Sequence, residues 1–366
     1  MDEFQDKNLT TLPTEQVEPN KPSSRLGGLF WVAALLLFAD IGLRAIVPFL
    51  QVPVTWAWGI SAYIFSPLFT CVTIVLVYQL VKFRWRWRVA LIVMIGCLLP
   101  LLGIILQQQK MILIENQYQT KLEELAFNRF IANQLIDHGR ELPFYLNSLP
   151  ALALILPEVM DEPPPPRIVE KLILELFNKI LLLFVLVAAG VLLSFLIREP
   201  NLLVPVAPVA AAVDIFTVLN PLGPANQAMQ KAPDLLPLVS MTIPQVGIAD
   251  SAYIPLKQIF AIIGPGDILF LAFFFMCLIK FDLRRKMTLF TMCIVLMTYL
   301  QVVLNFGDKR IFDIPLQALP ALVPMAFVML IVNRRGFKLS RDEKILSVFA
   351  WVGISGLLIA AFWFAK

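Results

Sequence analysis

The sequence is poor in charged residues. Only 15% of its 366 residues are Asp, Glu, Lys or Arg, whereas 59% are hydrophobic. A soluble domain needs more charge than this to cover its surface, so the composition indicates an integral membrane protein. The net charge of +4 comes from basic loops between apolar stretches, and no basic and aromatic groove indicates nucleic-acid binding.

Histidine and cysteine are also scarce, which excludes several chemistries. The one histidine, His138, lies in a polar segment, whereas an HExxH metalloprotease needs two on one helix face. Residues 353–356 read GxSG, as in serine intramembrane proteases. No membrane-embedded histidine can act as the base for Ser355, so we interpret these small residues as helix packing. The four cysteines form no CxxC pair and indicate neither disulfides nor zinc. We expect no metal and no cofactor.

Nine apolar stretches follow a polar tail, residues 1–26, which we expect to be disordered. Each stretch is close to the ~20 residues that span a bilayer. The predicted fold is therefore an all-α membrane protein, a polytopic bundle of about nine transmembrane helices. We place these helices at residues 27–50, 56–81, 89–107, 179–197, 201–220, 257–279, 287–305, 312–332 and 345–365.

A long mixed segment, 108–178, separates the third and fourth predicted helices, and we expect it to be amphipathic and outside the membrane. It divides a three-helix part, 27–107, from a second membrane part, 179–333, after which 334–366 adds a C-terminal helix. Basic residues follow the even-numbered helices, which places the N-terminus in the cytoplasm. We expect a multi-pass protein of the cytoplasmic membrane of a prokaryote.

Three aspartates lie within predicted helices, where each carboxylate costs ~3 kcal/mol at the bilayer centre. Asp40 has Arg44 four residues later on the same helix face, which predicts an internal ion pair. Asp214 and Asp267 have no such partner. They lie in consecutive antiparallel helices, so their carboxylates can meet at similar depth. Facing carboxylates share a proton; one can then take a proton from water while the other protonates a scissile carbonyl.

Two glycines precede the second of these acids in the sequence Gly264-Pro265-Gly266-Asp267. Without Cβ atoms, Gly264 and Gly266 let another backbone approach the carboxylate closely. Pro265 removes a helical hydrogen bond and loosens this turn. A substrate that presents an extended peptide bond needs such space, although GxGD by itself is a weak motif.

A third motif, Pro320-Ala321-Leu322, lies in the eighth predicted helix. The chain resembles the presenilin and signal peptide peptidase family of intramembrane aspartyl proteases. That family combines an aspartate in one helix, GxGD in the next and Pro-Ala-Leu two helices later. The residues from Asp214 to Pro224 are similar to the presenilin stretch after its first aspartate. The resemblance covers about residues 180–333, the catalytic part.

The resemblance implies an aspartic endopeptidase that cleaves peptide bonds within the transmembrane helices of membrane-protein substrates. Its partners would be those substrates and the lipid bilayer, and the composition does not require accessory subunits. The Pro-Ala-Leu motif would be unwound, so that its free backbone groups hold an extended substrate. The implied site residues are the catalytic Asp214 and Asp267 and the substrate-binding Gly264, Gly266, Pro320, Ala321 and Leu322.

The chain departs from the family pattern at several points. Val213 stands where the family usually has tyrosine, so that hydroxyl is missing, and Gln317 stands where presenilins have a basic residue. The 221–255 connection lacks the large loop in which presenilins are cut, so we expect no maturation cut. Four predicted helices precede the acid pair, which orients its helices as in signal peptide peptidases.

Three other interpretations are open. A prepilin peptidase also uses GxGD, but that family has no Pro-Ala-Leu motif and cuts at the membrane surface. An ion-coupled transporter also places acids beside a broken helix, but it would show internal repeats, and the two halves of this chain show none. A catalytically impaired homologue that binds membrane proteins is compatible with Val213, whereas the retained aspartates argue against it.

Overall fold

The computed structural model describes residues 23–47, 50, 59–83, 85–137, 168–219, 227, 236–244, 259–306, 310–311, 314–315, 321–341, 343–345, 347–349, 351–353 and 356. They are mostly helical. The elements are α1 (Ser23–Ile46), α2 (Ser66–Val81), α3 (Trp87–Asp137), α4 (Ile168–Leu196), α5 (Leu203–Leu219), α6 (Leu236–Val239), β1 (Met241–Pro244), β2 (Ile259–Ile263), α7 (Pro265–Lys280), α8 (Arg285–Phe306), β3 (Arg310–Ile311), β4 (Ile314–Pro315) and α9 (Leu322–Asn333).

Five helical spans among the described residues are long and apolar enough to cross a membrane. They are Ser61–Val81, Trp87–Ile114, Ile173–Leu196, Pro200–Thr217 and Arg285–Val303. The first of them begins with one turn of π-helix, Ser61–Phe65, and the fourth with a 3-10 turn, Pro200–Leu202. The prediction of a helical membrane protein is confirmed to this extent.

The outer surface of the bundle is apolar. Trp31 and Phe38 of α1, and Ile92 and Leu99 of α3, each remain more than two-thirds exposed. Large apolar side chains on a soluble surface would be costly in water, whereas lipid tails solvate them without penalty. These faces are therefore suited to contact with the hydrocarbon of a bilayer.

Two predicted helices begin later than the sequence pattern indicated. The stretch 257–279 starts as strand β2, and α7 begins only at Pro265. The stretch 312–332 contains strand β4, and α9 begins only at Leu322. Apolar composition is common to buried strands and buried helices, so hydropathy did not separate them. As a result α7 has 16 residues and α9 has 12, both below the length of a full span.

The third predicted helix is longer than expected. α3 has 51 residues and passes through Pro100 into the segment predicted to lie outside the membrane. α4 begins at Ile168, also within that segment. Residues 1–22 and 138–167, which include most of the expected tail and the rest of the segment, lie outside the described residues.

Helix α4 lies at the centre of the described bundle, with α3 and α7 packed along it. The backbones of α4 and α7 are close together at Gly190, where an added Cβ would collide with the Leu269 carbonyl oxygen and lie 2.9 Å from the Ala272 Cβ. The buried core around this crossing includes Val187, Val191, Phe274 and Phe275. A residue without a side chain thus allows the two backbones to approach.

Polar contacts join the end of α9 to the start of α8. The Asn333 amide nitrogen donates to the Thr288 hydroxyl (2.9 Å) and to the Met329 carbonyl (3.0 Å). Its amide oxygen accepts from the Arg284 backbone N–H (2.9 Å). Because Asn333 is buried, each bond replaces a lost contact with water, and together the bonds set the position of α9 against α8.

The C-terminal segment begins with a helix cap at Ser340. The Glu343 N–H donates to the Ser340 hydroxyl, and the Ser340 N–H donates back to the Glu343 carboxylate at 2.7 Å. That backbone bond is the main reason why the pKa of Glu343 lies below its usual value. Farther along, Trp351 stacks against Phe327 of α9 at 6.1 Å. The described residues beyond the cap are mainly helical, in the stretch predicted as the ninth span.

Candidate functional site

An antiparallel strand pair leads directly into the GxGD motif. β1 pairs with β2 in the register Met241 with Ile263 and Thr242 with Ile262, and the pairing shifts after Ile243. β2 ends at Ile263, and the next residue, Gly264, precedes the first turn of α7. The strand pair therefore determines where the chain enters the helix that carries Asp267.

Buried side chains of α1 and α4 bind the strand pair. Arg44 forms the predicted ion pair with Asp40 at 2.7 Å, which is confirmed, and it also donates to the carbonyl of Thr242 in β1. Lys179 donates to the carbonyls of Pro237 and Ser240, the latter at 2.8 Å. A buried cation is costly unless it is paired and hydrogen-bonded. Here Arg44 holds β1 against α1, and Lys179 holds the residues just before β1 against α4.

Asp267 lies in the first turn of α7. Its Oδ2 accepts a hydrogen bond from the Gly264 backbone N–H at 3.1 Å. A carboxylate at this position is favoured by the free N–H groups and by the positive end of the helix dipole. A Cβ added at Gly264 would lie 3.1 Å from the same Oδ2, whereas one added at Gly266 would meet no described atom within 4 Å. The two glycines thus differ: Gly264 leaves room for the acid itself, and Gly266 borders open space.

Asp214 lies in α5, and its Oδ2 accepts a hydrogen bond from the Leu322 backbone N–H at 2.9 Å. Leu322 is the first residue of α9, and Ala321 before it lies in a turn. The N–H groups of a first helical turn have no acceptor within their own helix. The aspartate supplies one, so the motif and the acid meet although they are 108 positions apart. Pro320 lies outside the described residues.

The two aspartates lie close enough to interact electrostatically. The charge of Asp214 acts on Asp267, and both act on the phenol of Tyr299 in α8. Helix α9 makes this arrangement possible, because it packs against α5 and α8 and also touches α7. Of the predicted site residues, the fold thus brings together Asp214, Asp267, Gly264 and Leu322, with Ala321 and Gly266 adjacent in sequence.

Two features of this site were not predicted from the sequence. The strand pair lay in a predicted connection and in the start of a predicted helix; the β-branched run around Thr242 and Ile243 was the available signal. Tyr299 was one polar aromatic residue in an apolar helix, and no local motif marked it. Its relation to the acids depends on how α8 packs, which a linear pattern does not contain.

No group of three or more His, Cys, Asp or Glu within the described part of the chain is arranged to hold a metal ion. A comparison with family models, with curated proteins and with solved structures finds no match to this chain. The class that fold and composition define is a mostly helical membrane protein, and its candidate functional site is the acid pair.

Proposed function

We propose that this chain is an intramembrane aspartic endopeptidase of the presenilin type, with Asp214 and Asp267 as its catalytic pair. The main support is the hydrogen bond from the Leu322 N–H to the Asp214 carboxylate. It joins the third motif to the first, while the charge of Asp214 acts on the acid of the second. A catalytic site formed by all three motifs requires that they lie close together in the folded chain.

The reaction needs one carboxylate ionised and the other protonated. The ionised acid takes a proton from a water molecule as its oxygen attacks the scissile carbonyl carbon, and the protonated acid donates to the carbonyl oxygen. The resulting gem-diol collapses when the newly protonated acid gives its proton to the amide nitrogen, one gem-diol hydroxyl gives its proton to the other acid, and the C–N bond breaks. The products are a carboxylic acid and an amine, and the pair returns to one proton.

The substrate helix has to open before it can be cut. In the proposed complex its extended segment lies beside Gly266, where the described residues leave space, and near the start of α9. In this proposal the substrate backbone forms strand-like hydrogen bonds with the chain beside α9 and with the edge of the β1–β2 pair. The proposal includes the nine-helix, multi-pass arrangement with its N-terminus in the cytoplasm.

The direct test is peptide cleavage by the purified full-length protein in lipid bicelles. A transmembrane peptide labelled at both ends should be cut within its apolar segment, and a hydroxyethylene transition-state analogue should suppress the cut. Mass spectrometry of the new termini locates the bond. An intact peptide in every lipid composition, together with no binding of the analogue, would leave the transporter or the impaired homologue as the better reading.

Gly266→Ala distinguishes an effect on the stability of the fold from an effect on substrate binding. The added methyl group meets no described atom, and alanine favours helix by about 0.5–1 kcal/mol over glycine, so the melting temperature should not fall. A methyl group against a substrate backbone costs about 1–3 kcal/mol, which corresponds to about a 5- to 150-fold loss of kcat/KM. Gly103→Ala in α3, whose methyl group also meets no described atom within 4 Å, should leave kcat/KM unchanged and should not lower the melting temperature. Full activity of Gly266→Ala would place the substrate elsewhere.

A further inference from the structure

A groove of about 460 Å³ runs between α8 and α9. It is lined mainly by apolar side chains, with Tyr299 and Thr291 from α8 and Val323 and Pro324 from α9 among them. Val323 and Pro324 follow Leu322, whose N–H binds Asp214. The Tyr299 ring thus borders the same turn of α9 that holds the first acid.

Tyr299 also relates to both acids electrostatically. Asp214 and Asp267 lie on different helices, and both carboxyl groups are near enough to act electrostatically on the Tyr299 phenol. A phenol carries its proton at neutral pH and can donate it in a hydrogen bond, and buried tyrosines usually find such a partner. In contrast, Val213, next to Asp214 in the chain, is an exposed aliphatic residue without a hydroxyl.

We propose that Tyr299 is a positioning residue of the acid pair, whose hydroxyl donates a hydrogen bond to the ionised member. This inference rests on the proposed peptidase function. The two acids share one proton. A hydrogen bond donated to one carboxylate stabilises the negative charge there, so the proton stays on the other acid. The charged oxygen is then held in place to accept the proton of the attacking water, and the other acid keeps its own proton for the carbonyl.

The Tyr299 hydroxyl belongs to α8, which carries neither of the two acids, and the packing of α8 against α9 determines its position. α8 contacts α9 along the groove, and the Asn333 bonds to Thr288 and Arg284 determine how the two helices pack. α9 in turn carries the Leu322 N–H to Asp214. Tyr299 in α8 and Leu322 in α9 therefore lie near the same end of two packed helices. The Asn333 hydrogen bonds join the opposite ends of these helices.

Tyr299→Phe tests the inference because it removes the hydroxyl and keeps the ring in the groove. Since hydrogen bonds to charged groups are among the stronger ones, kcat should fall about 10- to 100-fold with little change in KM. Affinity for the hydroxyethylene analogue should fall by a similar factor. Tyr78→Phe is the matched control: Tyr78 is a buried tyrosine in α2 that packs on Phe275, and its loss of a hydroxyl should leave kcat unchanged.

A structural role and a positioning role give different outcomes. If Tyr299 only fills the groove, Tyr299→Phe keeps its kcat, or changes KM and melting temperature alone, and the inference is wrong. If it acts through the acids, its effect on analogue affinity disappears when both aspartates are replaced by asparagine, because no ionised partner remains. Cleavage that depends on both aspartates but not on the Tyr299 hydroxyl overturns this inference alone, whereas cleavage that survives Asp267→Asn overturns the proposed function.

Discussion

Asp214→Asn and Asp267→Asn are each expected to reduce cleavage of a transmembrane peptide by about 10³-fold or more. A carboxamide has almost the shape of a carboxyl group but neither takes a proton from water nor donates one to a carbonyl. General acid and base groups contribute about 10²- to 10⁴-fold each, and here the two acids work on one proton. The loss should appear in kcat, measured with the doubly labelled peptide.

The fold should survive both substitutions. The amide oxygen that replaces the Asp214 Oδ2 can still accept the hydrogen bond from Leu322, so the start of α9 keeps its acceptor. The same holds for the bond that Asp267 receives from the Gly264 N–H. Removing a carboxylate from the membrane also removes its desolvation cost, so thermal stability should be equal or higher.

Asp282→Asn provides the matched control for loss of a carboxylate. Asp282 follows the end of α7 at φ 49°, a left-handed conformation that asparagine tolerates well. Its ion pair with Arg285 is solvent-exposed and therefore worth at most about 1 kcal/mol. Its activity should equal that of the wild type. Substantial cleavage by either variant of the acid pair, with this control active, would remove the protease proposal.

Gly190→Ala is expected to destabilise the bundle by about 3 kcal/mol, the largest effect on stability that one added methyl group should have here. The new Cβ would collide with the Leu269 carbonyl oxygen and lie 2.9 Å from the Phe273 backbone nitrogen. Backbone atoms of a packed helix cannot rotate away as a side chain can, so α4 and α7 would have to separate. Overpacking of a well-packed interior typically costs 1–3 kcal/mol.

This substitution should also lower activity, because α7 carries Asp267. Gly96→Ala in α3 is the control: its methyl group meets no described atom within 4 Å, and alanine favours helix, so stability should rise by about 0.5–1 kcal/mol. Titration with denaturing detergent compares the two free energies of unfolding. Equal stability of the two variants would mean that α4 and α7 do not cross at Gly190.

The sequence pattern identified the residues of the candidate site better than the elements that position them. Asp214, Asp267 and the two glycines stood out because a carboxylate in an apolar stretch is costly and a glycine pair before it is unusual. Leu322 was chosen only through resemblance, as part of a motif without reactive side chains. Its contribution in the structure is a backbone N–H, which every residue except proline possesses, so composition could not have revealed it.

The sequence by itself determined the membrane class, the helical character of most apolar stretches and the Asp40–Arg44 pair, because these depend on composition and on spacing of four residues or less. Tertiary structure alone decided that β2 is a strand, that α9 begins at Leu322 and that Tyr299 lies in the groove beside the start of α9. Apolar residues suit strand and helix alike in lipid-like surroundings, so the choice depended on distant partners such as Arg44 for β1 and Asp214 for α9. Contacts between residues more than a hundred positions apart leave no periodic trace in the chain.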